Sequence, residues 1–568
     1  MSTVSVAVEP AVPGDSDAIA PGRWHNRWVR GLIAVLAGAL TGLSWQPYGW
    51  WPLLLVGIPA LTLLVRAGGR ARPRRSAFGV GYLYGLGMLG VSISWIHVLG
   101  IWIAILLIAF EALFFGLLGL ALRLTSPLRW WPLAAALCWA LIEFLYARVP
   151  FGGFGWIRLA YAMVDTPLAG FLPLIGVAGV SFLTALISQL VGYAAVVLHA
   201  DRGHLAGAGR RLLPYAVAVV ALALVGTGLR FVPLSTGATS GDVQVGIVQG
   251  NVPGKGIEAL GRMRSVTNNH LSETVDLMVR ARLGQTPMPD FILWPENSTD
   301  IDPTLDITTG QTVQAAATIA GRPILVGAVM AGPGPDERQT AALWVDPSAG
   351  ILARYNKQNL VPFGEWIPFR AQLLPLVPIL AEVGAQSIPG TTPGVLTVPL
   401  DGRTVRVGDI ICFELAYDST VYSTLTNGAQ LLMVQSNNAT YGGTGQIEQQ
   451  FAITRARAME TRREIAVATT NSVSGFIDRD GKVVERTEEF TAASMVVTMP
   501  LRSGLTPAVV IAPWLDLALA LGGLVACLLG SATVARRRRH VPTPVGTVAA
   551  VGQDEQLAGS VDPEAATR

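Results

Sequence analysis

The chain has 568 residues, of which 51% are hydrophobic and only 14% are charged. Since about a quarter of the residues in a soluble protein are charged, this composition excludes an ordinary soluble globular protein. The net charge of +3 is too small to indicate a nucleic-acid partner.

Long apolar stretches recur over the first 230 residues, and one more lies near the C-terminus. Several approach or exceed the roughly 20 residues that a helix needs to cross the hydrocarbon core of a bilayer. They predict a polytopic α-helical membrane bundle of about eight transmembrane helices. The predicted spans are residues 32–45, 50–65, 78–98, 101–122, 130–146, 171–198, 212–229 and 509–534.

Arginine residues predict how these spans are oriented. The two tails and the gaps after the second, fourth and sixth spans are arginine-rich, which the positive-inside rule assigns to the cytoplasm. The large segment between the seventh and eighth spans then lies on the extracytoplasmic side. The predicted division is a cytoplasmic tail at 1–29, a membrane domain at 30–230, an extracytoplasmic domain at 240–503, an eighth helix at 507–535 and a disordered cytoplasmic tail at 536–568.

Two carboxylates, Glu111 and Glu143, fall inside predicted spans. An ionisable residue at membrane depth is a candidate for a functional role. A structural role, in which neighbouring helices hold the carboxyl group, is an equally good interpretation. The sequence leaves the functional and the structural role open.

The polar segment alternates short β-branched runs with helical patterns, which indicates an α/β fold. Amphipathic helices are expected at 262–283 and 446–462, and a hairpin turn at Asp478–Gly481. The segment has no dinucleotide fingerprint, phosphate-binding loop or metal-ligand spacing, so we expect neither cofactor nor metal. Strands are expected at 243–249, 291–294, 324–330, 343–346, 405–412, 431–435 and 465–470.

Three local motifs stand out in this segment, and the first and third each lie at the end of a predicted strand. Glu296 lies in Leu-Trp-Pro-Glu-Asn-Ser (293–298), Lys357 in Tyr-Asn-Lys-Gln-Asn-Leu (355–360) and Cys412 in Gly-Asp-Ile-Ile-Cys-Phe-Glu (408–414). Taken alone, the glutamate is typical of a solvated turn, the lysine of a surface and the cysteine of a packed strand end.

Together, and in this order, the three motifs resemble the nitrilase, or carbon–nitrogen hydrolase, superfamily. The resemblance implies an α-β-β-α sandwich and a catalytic triad of Glu296, Lys357 and Cys412. In that chemistry Cys412 is the nucleophile, Glu296 the general base and Lys357 the oxyanion donor. The backbone N–H of Phe413 would assist Lys357, and Glu365 and Glu414 would hold the site in place, with solvated carboxylates as the alternative.

A nitrilase-like segment between a seventh and an eighth span resembles the bacterial apolipoprotein N-acyltransferase family. Similar pieces include Val-Gln-Gly-Asn-Val-Pro (248–253), Ser-Asn-Asn (436–438) and the Gly- and aromatic-rich loop at 150–156. The resemblance implies transfer of an acyl chain from a phospholipid, through a cysteine thioester, to the N-terminal amine of a diacylated apolipoprotein. It also implies a multi-pass enzyme of the bacterial cytoplasmic (inner or plasma) membrane. The lipid bilayer is then a partner, and no nucleic-acid partner is expected.

The sequence departs from the family pattern where a lipid pocket is expected. The family's Asp-Ala-Trp-Phe-Gly is Asn-Ala-Thr-Tyr-Gly here (438–442). An apolar, proline-interrupted stretch between 369 and 388 is expected to form a mobile arm that admits lipid, with a core helix as an equal alternative. The pocket candidates are Trp294, Trp366, Asn437, Asn438 and Tyr441, and the arm candidates are Leu373, Leu376 and Ile379.

Two other functions are compatible with parts of this pattern. A membrane-anchored amidase of the nitrilase type would need only one anchor, which does not account for eight spans. A transporter with a degenerate nitrilase-like domain would need a polar pathway, yet few of the predicted spans contain charged residues.

Overall fold

The computed structural model describes residues 27–67, 74–232, 239–252 and 264–539. The predicted tails at 1–29 and 536–568 lie almost entirely outside these ranges, so the disorder expected of the C-terminal tail stays a prediction. Within these ranges the membrane part contains eight α-helices. They are α1 (Arg27–Gly42), α2 (Leu54–Ala67), α3 (Arg74–Ser92), α4 (Ile101–Thr125), α5 (Trp131–Tyr146), α6 (Leu172–Ala200), α7 (Leu205–Leu229) and α13 (Pro507–Arg539).

Each predicted span overlaps one of these helices. Within the described residues, four helices are long and apolar enough to cross a membrane: α4, α6 with the turn before it, α7 and α13. Two shorter apolar helices cover Trp51–Ala67 and Trp131–Tyr146. The described residues thus establish four candidate spans, and a total of eight remains a proposal.

Helices α3 and α4 approach closely because glycines face each other at their crossing. A Cβ on Gly81 would lie 2.1 Å from the carbonyl oxygen of Phe115, and one on Gly119 would lie 2.3 Å from that of Ala77. In a bilayer the hydrophobic effect does not drive helices together, so they associate through close packing, which small residues allow. A larger side chain at either position would separate the two helices.

The polar segment forms two mixed β-sheets. The first has the strand order β13-β1-β2-β3-β4-β5, with β6 paired to β4, and the second has the order β12-β11-β10-β9-β8-β7. The strands are β1 (Thr239–Gln249), β2 (Phe291–Leu293), β3 (Ile324–Ala331), β4 (Glu337–Asp346), β5 (Gly350–Asn356), β6 (Gln386–Ser387), β7 (Val395–Leu400), β8 (Arg403–Ile411), β9 (Leu431–Ser436), β10 (Ile465–Thr469), β11 (Gly475–Ile477), β12 (Val483–Arg486) and β13 (Ala493–Arg502). The helices are α8 (Ser265–Arg282), α9 (Ile307–Ala320), α10 (Arg370–Leu373), α11 (Asp418–Thr426) and α12 (Gly445–Thr461).

The two sheets pack face to face through a buried apolar cluster that includes Phe291, Trp344, Val405 and Met433. Helices α8 and α9 cover the outer face of the first sheet through a second cluster. Helices α11 and α12 cover the second sheet, and their core is continuous with that of the membrane helices. The α-β-β-α sandwich implied by the sequence is therefore present, and one helical layer is packed against the membrane part.

Local sequence explains how individual helices begin and end. The Asp306 side chain accepts a hydrogen bond from the Thr309 N–H at 2.8 Å and caps the start of α9. At the other end of this helix, Gly321 adopts a left-handed conformation.

The predicted strand 343–346 is the end of a longer strand, β4. The predicted strand 405–412 ends one residue earlier, because Cys412 adopts a φ of 54° and cannot continue a strand.

A buried ionic network joins the α-β-β-α sandwich to the membrane helices. Arg158 donates to Glu143 on α5 at 2.9 Å and to Asp418 on α11 at 2.6 Å. Arg457 on α12 donates to the other oxygen of Asp418 at 2.6 Å. Burial would raise the pKa of Asp418, but the two guanidinium groups outweigh it and hold this pKa well below its usual range. Glu143 is thus held by a neighbouring segment, and Glu111 is buried on α4.

The buried His270 on α8 predicts a pH dependence of stability. Its Nδ1 lies 2.7 Å from the Val266 carbonyl oxygen, and burial lowers the pKa of the imidazole from 6.5 to about 4. Between these pH values the unfolded chain binds a proton that the folded chain does not. This contribution to stability is therefore complete above pH 6.5 and is lost as the pH falls towards 4, by about 3 kcal/mol at most.

Thermal unfolding of the detergent-solubilised protein at pH 7 and pH 5 tests this expectation. We expect the loss of Tm on acidification to be smaller in His270→Gln than in the wild type, since glutamine does not titrate. An equal loss in the two proteins would contradict the assignment of the effect to His270.

Candidate active site

The three motif residues meet where strands of both sheets end. Glu296 follows β2, Lys357 follows β5 directly and Cys412 follows β8 directly. Strand β2 lies between two parallel neighbours, and β8 is parallel to β9 and antiparallel to β7. The carboxyl ends of parallel strands commonly form ligand sites. The register of the two sheets thus brings together residues that are far apart in the sequence.

Lys357 is the centre of a buried charge cluster. Its Nζ lies 2.9 Å from Oε1 of Glu296 and 3.0 Å from Oε1 of Glu365. The lysine side chain is 1% exposed and that of Glu296 is 5% exposed. Burial opposes the ammonium form, but the two carboxylates outweigh it and raise the pKa of Lys357 well above its usual value. The lysine is therefore a permanent cation in a buried site.

The pKa of Glu296 is shifted in the direction that suits a general base. Burial raises this pKa, while Lys357 and the backbone N–H of Asn437, at 2.9 Å from Oε2, act in the opposite direction. A carboxylate with a raised pKa accepts a proton more readily than a solvated one. The Asn437 contact also fixes the second oxygen, so the carboxyl group cannot rotate away from the lysine.

Cys412 lies in a strained turn at the start of a short 3-10 helix, Cys412–Ala416. Its positive φ of 54° is uncommon for a residue with a Cβ, and such strain is often found at functional sites. Burial raises the pKa of the thiol to about 12, and the charge of Glu296 adds to the rise, while Lys357 and the nearby Ser436 hydroxyl lower it. Cys412 is thus a thiol at rest and needs a base to become a nucleophile.

Glu414 connects the lysine loop to the cysteine turn. Its Oε1 accepts hydrogen bonds from the backbone N–H groups of Gln358 at 2.7 Å and Asn359 at 3.1 Å. Its Oε2 accepts from the N–H of Ile411 at 2.9 Å. Glu414 therefore supports the site through the backbone, whereas Glu365 contacts the lysine ammonium itself.

Aromatic residues from the membrane part form one wall beside the cysteine. Trp156 stacks on Phe413 with ring centroids 5.4 Å apart, and Trp95 meets Tyr441 edge to face at 5.3 Å. Both indole N–H groups donate to the side-chain Oε1 of Gln449 at 2.9 Å. The sequence did not identify Trp95, because it lies inside a predicted span, although the aromatic loop at 150–156 was a signal for Trp156.

The predicted pocket residues fall into two groups. Asn437, Asn438 and Tyr441 follow β9 at the site, and Trp366 meets Phe151 of the membrane part edge to face at 6.0 Å. Trp294 is instead fully buried in the outer core, and its indole donates to Thr274 Oγ1 at 2.9 Å. The structure therefore gives Trp294 a packing role in place of the predicted pocket role.

The predicted arm is an irregular segment and not an ordinary core helix. It begins with the four-residue helix α10, and none of its residues is buried there. Leu376 is 76% exposed and Phe369 is 68% exposed, while Leu373 is partly buried. The side chain of Ile379 lies outside the described part of the structure. An exposed apolar segment next to the site is compatible with contact with lipid.

Across the described ranges, no group of three or more His, Cys, Asp or Glu side chains is arranged to hold a metal ion. The groups that the site itself presents are the Cys412 thiol, the Glu296 carboxylate, the Lys357 ammonium and backbone N–H groups. This set can form and break an acyl–sulfur bond.

Comparison with known proteins gives matches over both parts of the chain. Residues 37–190 match the family model of the apolipoprotein N-acyltransferase N-terminal domain, and residues 244–504 match that of carbon–nitrogen hydrolase. An apolipoprotein N-acyltransferase of Mycolicibacterium smegmatis is 33% identical over 546 residues, covering 92% of this chain and 90% of the relative. One of Vibrio cholerae is 27% identical over 507 residues, covering 85% of this chain and 93% of the relative. The crystal structure of an amidase from Nesterenkonia sp. aligns with a TM-score of 0.34 and 17% identity, covering 47% of this chain and 94% of the amidase.

Proposed function

The chain belongs to the apolipoprotein N-acyltransferase family, and on this basis we propose how its own residues carry out N-acylation of lipoproteins. The enzyme takes an acyl chain from a phospholipid and transfers it, through a thioester at Cys412, to the α-amino group of an N-terminal diacylglyceryl-cysteine. The observation that carries this assignment is the buried contact of 2.9 Å between Lys357 and Glu296 beside a strained cysteine.

In the first step Glu296 accepts the proton of the Cys412 thiol as the sulfur attacks the ester carbonyl carbon of the phospholipid. Lys357 and the backbone N–H of Phe413 stabilise the oxyanion that develops. The carbon–oxygen bond to glycerol then breaks, and the leaving oxygen takes the proton from Glu296. The products are an acyl thioester and a lysophospholipid.

In the second step the amine of the apolipoprotein attacks the thioester carbonyl carbon. Glu296 accepts a proton from the amine, the carbon–sulfur bond breaks, and the Cys412 thiolate recovers the proton. The product is an amide, so the lipoprotein leaves with three acyl chains. The buried site and its aromatic wall favour the amine over water, since few waters reach the thioester.

The proposed location is the bacterial cytoplasmic membrane, with about eight spans and the catalytic domain, residues 240–503, on the extracytoplasmic side. The arginine distribution supports this orientation. Diacylated lipoproteins and phospholipid would then both reach the site from the outer leaflet.

Incubation of the purified protein with phosphatidylethanolamine and a synthetic diacylated lipopeptide tests the reaction. We expect triacylated lipopeptide and lysophospholipid in equal amounts. Hydrolysis of small amides without triacylated product would favour the amidase instead. Absence of any covalent product from the folded protein would leave the degenerate transporter domain as the better account.

The exposed Leu376 predicts a role for the arm in lipid access. Leu376→Glu places a charge on an apolar surface that is expected to enter the bilayer, so activity on phospholipid in vesicles should fall by about tenfold. Activity on a short-chain phospholipid dispersed in detergent should change by less than about twofold, since that substrate does not need to leave a bilayer. Initial rates of lysophospholipid release measure both.

Leu305→Glu is a matched control, because Leu305 is 71% exposed in the turn before α9. It should leave both activities unchanged. Equal activity of Leu376→Glu and the wild type on vesicles would contradict the proposed arm.

A further inference from the structure

Ser436 is the last residue of β9 and lies next to the cysteine turn. Strands β8 and β9 are parallel, and Ile411 is paired with Gln435, so the next residue on each strand is Cys412 and Ser436. The Ser436 side chain is fully buried. Because successive side chains alternate in a strand, the Gln435 side chain turns towards the first sheet and donates to the Trp294 carbonyl oxygen at 2.6 Å, while Ser436 faces α12.

The Ser436 hydroxyl is held by two amide side chains. Its oxygen accepts a hydrogen bond from Gln450 Nε2 at 2.8 Å, and its proton is donated to Asn438 Oδ1 at 3.0 Å. Gln446 Nε2 in turn donates to Gln450 Oε1 at 3.0 Å, which fixes the orientation of the Gln450 amide. The hydroxyl thus has a fixed donor on one side and one proton whose acceptor can change.

The cysteine sulfur is the other acceptor near this proton, because Cys412 and Ser436 are neighbours at the ends of the paired strands β8 and β9. We propose that Ser436 is a further catalytic residue, whose hydroxyl turns from Asn438 to the Cys412 sulfur whenever the sulfur is a thiolate. This role rests on the proposed function, because it acts in the acylation and deacylation of Cys412. A neutral thiol or thioester sulfur is a weak acceptor, so the hydroxyl returns to Asn438 in those states.

No proton is lost by Ser436 in either step. In the first step the Cys412 proton passes through Glu296 to the leaving oxygen, and in the second step a proton of the amine passes through Glu296 to the thiolate. The serine O–H bond stays intact throughout. The hydroxyl stabilises the sulfur as it attacks the phospholipid ester, and again as it leaves the tetrahedral intermediate formed by the amine. A hydrogen bond to a charged group is stronger than one to a neutral group, so the same contact favours both transition states.

The pH dependence of Cys412 alkylation by iodoacetamide tests this role without donor lipid or acceptor. Ser436→Ala is expected to move the midpoint of the alkylation rate upwards by about one pH unit, which makes alkylation about tenfold slower below the midpoint. The ionisable groups near the sulfur are Glu296, Lys357, Glu365 and Tyr441, and all are retained in this variant. Peptide-resolved mass spectrometry separates Cys412 from the two buried cysteines, Cys138 and Cys527.

Ser436→Thr keeps the hydroxyl and should keep the wild-type midpoint. Ser348→Ala, which removes a hydroxyl from an exposed turn before β5, is the control and should not change it. If Ser436→Ala does not fold, Gln450→Met replaces it, because loss of the Gln450 donor leaves the hydroxyl unoriented and should also raise the midpoint. The proposal would be overturned if Ser436→Ala folded and had the wild-type midpoint, or if Gln450→Met, used in its place, had that midpoint.

Failure of the wild type to make triacylated lipopeptide would count against the proposed function and would leave the alkylation result unaffected.

Discussion

Cys412→Ser is expected to reduce the formation of triacylated lipopeptide by at least about 10³-fold, because the loss of a nucleophile removes the covalent route. A serine hydroxyl is far less acidic than a thiol, so Glu296 cannot generate an equivalent nucleophile from it. The site geometry should persist, since the two side chains differ by one atom. Initial rates with the lipopeptide acceptor measure the effect.

The two membrane cysteines provide the control for this substitution. Cys138 on α5 and Cys527 on α13 are 3.8 Å apart between their sulfur atoms, and both are buried away from the triad. Cys527→Ser should keep near wild-type activity. A Cys412→Ser enzyme that retained a tenth or more of the wild-type rate would show that the acyl chain does not pass through this thiol.

Lys357→Met is expected to lower activity by about 10²- to 10³-fold through the loss of an oxyanion donor. It also leaves the Glu296 and Glu365 carboxylates facing each other without the cation that lies 2.9 and 3.0 Å from them. Removing one partner of a buried ion pair costs about 3–5 kcal/mol, so the melting temperature should fall as well. Steady-state rates and thermal unfolding in detergent report the two effects separately.

Lys482 is a suitable comparison, because it is an exposed lysine in the β11–β12 hairpin. Lys482→Met should leave rate and melting temperature close to those of the wild type. If Lys357→Met had a lower melting temperature but an unchanged rate, the lysine would be a structural residue and the oxyanion would need another donor.

Glu296, Lys357 and Cys412 could be singled out from the sequence because each is part of a local motif. Glu296 and Cys412 each lie at or just beyond a predicted strand, and the neighbouring residues make all three motifs specific. The strand before Lys357, β5, was not predicted, because it contains only one β-branched residue, Ile351. The hairpin at Asp478 was also predictable from a local motif, and Gly481 adopts the positive φ of 78° that its turn requires.

Features that depend on tertiary structure could not be predicted in this way. Ser436 approaches Cys412 only because β8 and β9 are paired in one register, and Gln450 reaches it from a separate helix. Asp418 is 260 residues from Arg158, so the ionic network has no local signature. Trp294 was placed wrongly because its position in the motif does not reveal which face of the sheet its side chain occupies.

Intact-protein mass spectrometry after incubation with phospholipid alone tests the central claim most directly. We expect one added acyl mass on Cys412 that hydroxylamine removes, that is absent from Cys412→Ser, and that disappears when a diacylated lipopeptide is added. An unmodified Cys412 in an enzyme that still produces triacylated lipopeptide would contradict the account.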